Sequence, residues 1–99
     1  MDGRRKERIL IADDSWRNRM ELEGQLKSNF DIIEAENGRE AIELLRIRRT
    51  EIDLVLLDIA MPESDGFDVL VEMSRQKWLA DTPVIIIMDD PVNAHMEYA

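Results

Sequence analysis

The chain has no cysteine, which excludes a disulfide framework and any thiolate metal site. It has one histidine, His95, and one imidazole cannot build a histidine zinc site alone. Glycine and proline are few, 4 and 3 residues, and there are no repeats, low-complexity tracts or obvious linkers. No apolar run approaches the length of a membrane span. Positive charge is in deficit: 13 Lys and Arg stand against 22 Asp and Glu, for a net charge of −9. A nucleic-acid surface needs a basic face, so that balance argues against one. It fits a solvated surface, a metal pocket or a basic partner. The start "MDGRRKER" is basic, but no long apolar segment follows it. It reads as a tail over 1–7, not as a signal peptide.

What is present is enough for about one domain. The 99 residues are 44% hydrophobic and 35% charged, ordinary for a globular chain with one small core. "RILIA" (8–12) is short, continuous and apolar, as a strand covered on both faces should be. "SWRNRMELEGQLKSNF" (15–30) reads as a helix capped by Asp14 or Ser15, with Trp16, Met20, Leu22, Leu26 and Phe30 recurring at mostly helical intervals. "DIIEAE" (31–36) is a strand, and "NGREAIELLRIRR" (37–49) a helix with Ala41, Ile42, Leu44 and Leu45 on its apolar face. "DLVLLDI" (53–59) is a second buried strand and "MPESDG" (61–66) a turn. "FDVLVEMSRQK" (67–77) predicts a helix with Phe67, Leu70, Val71 and Met73 inward; "TPVIIIM" (82–88) predicts another buried strand; "PVNAHMEYA" (91–99) reads as the start of a helix. Strands alternating with helices predict an α/β fold, a parallel sheet with helices on both faces and right-handed crossovers.

The acids carry the chemistry. "ILIADDSW" (9–16) runs an apolar strand into two adjacent carboxylates, Asp13 and Asp14. Like charges at the edge of a core are costly. In an open parallel sheet, ligands sit beyond the carboxyl ends of the strands. Asp13 and Asp14 lie just past the first strand, and Asp58 ends the strand "DLVLL". If those strands are neighbours, the three acids converge. Oxygen donors at a wet mouth suit Mg2+, which takes a few carboxylates together with waters and a phosphate. Such an ion offsets the charge of an incoming phosphoryl group, with one carboxylate as nucleophile.

At this point the chain resembles the receiver domains of two-component response regulators. "ILIADDS" resembles the family's first strand with its acidic pair, and "NGREAIELL" its second helix. "LVLLDIAMPESDGFDVL" resembles the phosphoacceptor strand and the loop after it, and "TPVIIIM" the fourth strand. The resemblance implies a flavodoxin-like, doubly wound parallel sheet of order 2-1-3-4 over residues 8–99, with strand five and helix five missing from this chain. It implies that Asp58 accepts a phosphoryl group from a sensor histidine kinase or phosphotransfer protein. It implies that Asp13, Asp14, Asp58 and the backbone carbonyl of Ala60 hold Mg2+. Phosphorylation would then shift a signalling switch, in a cytoplasmic setting.

The sequence departs from the family at the switch. Met88 stands where the family places a Ser or Thr, and a thioether cannot donate a hydrogen bond. Asp89 follows where a small residue is usual. The family's Lys lies after a fifth strand, and the chain stops at Ala99, inside what reads as a helix. We therefore expect a piece of a longer regulator, with an effector domain beyond Ala99. The open edge of the fourth strand is then a candidate dimer contact. The alternative to a phosphoacceptor is a pseudo-receiver, an interaction module that is never phosphorylated. An aspartyl phosphohydrolase ranks last, because such enzymes carry a second acid two residues after the nucleophile, and here those positions are Ser15 and Trp16. Trp16 either anchors a helix face or leans over the site mouth. Trp78 is expected to pack at a helix end, Asp65 to cap the helix after it, and Gly66 to permit a tight turn. His95 and the "RRK" and "RIRR" runs read as solvated surface.

Overall fold

The computed structural model describes residues 6–59, 61 and 66–87. Ala60, Asp65, Met88, Asp89, His95 and the helix expected over 91–99 lie outside the described residues. The order of elements is β1 (Arg8–Ala12), α1 (Trp16–Leu26), β2 (Asp31–Ala35), α2 (Gly38–Arg48), β3 (Leu54–Asp58), α3 (Gly66–Arg75) and β4 (Val84–Ile87). Short 3-10 turns at Arg49–Glu51 and Trp78–Ala80 follow α2 and α3. The four strands form one parallel sheet of order β2-β1-β3-β4. The two acid-bearing strands, β1 and β3, are therefore central and adjacent.

Side chains alternate across each strand, so the apolar runs feed two layers. Leu10, Ala12, Val55 and Leu57 point to one face and pack with Ala41 and Leu45 of α2, Val69 and Met73 of α3, and Met61 and Trp78. Ile9, Ile11 and Leu56 point to the other, against Leu22 and Leu26 of α1 and Phe30. Burying a side chain such as Leu57 stabilises by about 2–3 kcal/mol. Among the described residues no helix is long and apolar enough to cross a membrane.

The helices begin on side-chain caps. Ser15 Oγ accepts from the Asn18 N–H (3.2 Å), so Ser15 and not Asp14 caps α1. Asn37 Oδ1 accepts from the Glu40 N–H (2.8 Å), and Glu40 Oε1 reaches back to the Glu36 N–H (2.7 Å). Arg49 lies over the Trp78 ring, 5.2 Å from its centroid, and ties the two 3-10 turns together.

Three readings of apolar faces need correction. Trp16 (61% exposed) and Met20 (53%) do not face the sheet. The inward stripe of α1 is Leu22 and Leu26, and Met20, two positions before Leu22, falls on the opposite side. In α3 the buried residues are Gly66, Val69 and Met73, while Phe67 and Val71 are exposed. The stripe follows Gly66, Val69, Leu70 and Met73, leaving Phe67 and Val71 beside it. β4 is not fully buried either: Ile85 and Ile86 are exposed, because β3 flanks one edge and no described strand flanks the other.

Candidate functional site

The acids meet where the topology rule puts them. Ala12 pairs with Leu57 across β1 and β3, so Asp13 and Asp58 leave the sheet side by side. One carboxylate oxygen from each of Asp13, Asp14 and Asp58 lies within 4.8 Å of the other two. Asp13 (1% exposed) and Asp58 (3%) are buried, and Asp14 is open to solvent. The cluster therefore has two fixed walls and one accessible side.

Asp13 is held by every polar group it carries. Its N–H donates to the Ala35 carbonyl (3.1 Å), extending the β1–β2 ladder by one residue. Its Oδ1 accepts from the Ser15 N–H (2.9 Å) and its Oδ2 from Asn18 Nδ2 (3.4 Å). Its main-chain oxygen accepts from Arg19 Nη1 (2.6 Å). Arg19 in turn donates through Nε to Glu34 Oε1 (2.7 Å). The carboxylate is thus met by neutral amides, while the guanidinium goes to the backbone.

Asp58 ends β3 opposite Ile87. The chain returns to this point through Gly66, whose N–H donates to the Ile59 carbonyl (3.2 Å). A Cβ on Gly66 would lie 2.6 Å from Ile59 Cα and 2.7 Å from the Asp58 carbonyl oxygen. The glycine expected for a tight turn is needed instead for close approach: it seats the start of α3 against the end of β3. Met61 is buried in the α2–α3 layer. Beside the acids a groove of about 160 Å³ is lined by Asp13, Asn18, Glu21, Leu22, Gln25 and Ile87. Trp16 stands in solvent on the first turn of α1, two residues after Asp14.

The donor set decides what the cluster accepts. Three carboxylates offer hard oxygen ligands, with no thiolate and no imidazole among them, which suits Mg2+ and similar hard divalent ions. The residues present fit such an ion. Sequence reasoning found the three acids and missed Asn18, Arg19 and Glu34. The Ser15–Asn18 cap spacing was a readable signal for Asn18. Glu34 joins Arg19 only through the β1–β2 register, which sets Glu34 beside Ile11 on the α1 face.

The comparisons with known proteins agree with this geometry. The model of the response regulator receiver domain matches residues 9–97. The transcriptional regulatory protein ResD of Bacillus subtilis is 39% identical over 88 residues, covering 88% of this chain and 35% of that protein. The chemotaxis protein CheY of the same organism is 43% identical over 70 residues, covering 69% of this chain and 57% of that protein. The transcriptional regulator ycf27 of Pyropia yezoensis is 39% identical over 83 residues, covering 83% of this chain and 32% of its own length. The chain thus spans about a third of the transcriptional regulators it matches. The crystal structure of the response regulator TrrA from Thermotoga maritima superposes with a TM-score of 0.76 at 32% identity, covering 90% of this chain and 75% of that one. The flavodoxin-like sheet expected from the sequence, in the order 2-1-3-4, is the sheet observed. The family match begins within β1 and runs through every later described element, and the chain belongs to the response regulator receiver domains.

Proposed function

We propose that the chain is a phosphoacceptor switch, with Asp58 as the acceptor. The observation that supports this most strongly is the meeting of Asp13, Asp14 and Asp58 at the carboxyl edge of the sheet, two of them buried. Residues 8–99 form the receiver unit in this reading and 1–7 a tail. An Asp58 oxygen attacks the phosphorus of a phosphohistidine on a sensor histidine kinase or phosphotransfer protein. The new O–P bond forms as the P–N bond breaks, and its electron pair returns to the imidazole nitrogen. Asp13, Asp14, Asp58 and the Ala60 carbonyl would hold Mg2+, which supplies positive charge against the phosphoryl oxygens. Two features agree. TrrA, the structural relative, was crystallised in complex with Mg2+-BeF. The open side of the cluster, at Asp14, also gives a donor access. The setting that follows is cytoplasmic, with output through an effector segment.

Met88 favours a second reading, a receiver that works by contact alone, since its thioether gives no hydrogen bond to a phosphoryl group. Intact mass after incubation with a small-molecule phosphodonor and Mg2+ separates the two. We expect a gain of one phosphoryl group, absent in Asp58→Asn and absent when the metal is chelated. An unchanged mass in the unaltered chain would overturn the acceptor reading in favour of the second.

A further inference from the structure

We infer that Arg19, oriented by Glu34, is a positioning residue for the acid pair. The inference rests on the reading of the cluster as a Mg2+ site. A peptide unit is planar, so the Asp13 carbonyl and the Asp14 N–H belong to one rigid plate running from Asp13 Cα to Asp14 Cα. Arg19 Nη1 grips the oxygen of that plate at 2.6 Å. The preceding plate is gripped at the Asp13 N–H by the Ala35 carbonyl at 3.1 Å. Each of the two peptide units that flank Asp13 Cα is thus restrained by a hydrogen bond. The two grips set where the Asp13 side chain and Asp14 start, and the Ser15 N–H and Asn18 Nδ2 aim the Asp13 carboxylate from there. The Ala35 grip is part of the sheet. The Arg19 grip is a side-chain device and depends on its own support, the 2.7 Å bond to Glu34 on the neighbouring strand β2. The Arg19 side chain is only 12% exposed, so its guanidinium has little freedom to take another pose. Two positive features of the design stand out. The guanidinium reaches the site yet contacts an uncharged oxygen, and Glu34 offsets its charge.

This arrangement makes a prediction of sign. Arg19 is a cation beside a cation site. If it acted only through its charge, removing it would tighten Mg2+ binding. As a positioning residue its removal weakens binding. Supports one shell out from a metal typically matter 10–100-fold in affinity. The experiment is a MgCl2 titration of the whole 99-residue chain, read by isothermal titration calorimetry, at a temperature where each variant is folded. We expect Arg19→Gln to weaken binding about tenfold or more. We expect Glu34→Ala to weaken it several-fold, and Glu34→Gln to restore most of that loss, because an amide oxygen still accepts from Nε without any charge. Thermal midpoints without metal are measured on the same samples. Tighter binding in Arg19→Gln, or weak binding in Glu34→Gln equal to that in Glu34→Ala, would overturn positioning in favour of simple charge. Lower midpoints with unchanged affinity would overturn it in favour of a merely structural ion pair. Failure of the unaltered chain to bind Mg2+ would overturn the metal-site reading itself, and this inference with it.

Discussion

The two ends of the sheet handle negative charge in opposite ways. At the amino end, the acids are met by the chain's own cations and amides. Arg8 pairs with Glu51 (3.0 Å) and Asp31 (3.6 Å), Arg48 pairs with Glu51 (3.0 Å), and the Arg8 N–H donates to Asp53 Oδ2 (2.8 Å). At the carboxyl end, three acids face one another within 4.8 Å. The guanidinium that reaches them, Arg19, is directed to a carbonyl and to Glu34. A surplus of acid over the whole chain does not produce this difference; placement does. One end pairs its acids with the chain's own cations, and the other keeps three carboxylates together as a donor set that fits a hard divalent ion.

Gly66→Ala breaks the comparison most severely. The added Cβ meets backbone at 2.6 and 2.7 Å, so the end of β3 and the start of α3 must separate. Urea unfolding should show a loss of about 2–3 kcal/mol, and the Mg2+ response of the carboxyl end should go with it. A smaller and more telling pair of changes removes one charge from each end. Without metal, Asp14→Asn should stabilise the chain by about 1 kcal/mol, since it relieves repulsion within the acid cluster. Glu51→Gln should destabilise it by about 0.5 kcal/mol, the scale of exposed ion pairs. Added Mg2+ should stabilise the unaltered chain and Glu51→Gln alike, and Asp14→Asn far less. Equal signs for the two substitutions in metal-free urea titrations would end the contrast. The smallest effect lies in the interior of α3. The hydrogen bond from Gln76 Nε2 (2.9 Å) holds the Glu72 carboxyl below its usual value, with Arg75 and Arg46 adding to it and desolvation opposing. A lowered folded value means stability that is present above the ordinary carboxylate range and lost as pH falls through the folded value. Glu72→Gln should therefore lower stability slightly at neutral pH and converge with the unaltered chain in acid, flattening the acid limb of urea midpoints plotted against pH.

Most of the scaffold was legible because composition and coverage coincide in it. β1 and β3 are continuous apolar runs with a layer on each side, and their pattern says so. The same pattern misleads at β4. "VIII" looks as buried as "LVLL", but burial of a strand depends on what flanks it, and its own composition does not report that. In α3 the inward stripe was misplaced because the helix starts on Gly66, a residue with no hydrophobic signal of its own. The three acids were readable from strand ends and one topological rule. The Arg19–Glu34 support was not, because it joins residues whose proximity is created by the register between β1 and β2.

The central position of β1 also bears on how the chain is made. Ile9 pairs with Ile32 on one side and with Leu54 on the other, so β1 gains its second neighbour only when β3 has been synthesised. At translation rates of about 5–20 residues per second, the interval between Ile9 and Leu54 lasts on the order of seconds. Through that interval the nascent "ILIA" segment carries an open strand edge and an incomplete apolar cover, longer than elementary folding events of microseconds to milliseconds require. Of the two central strands, the one that leads into Asp13 thus waits longer for its second neighbour, and is open through that wait to chaperones and to other nascent chains.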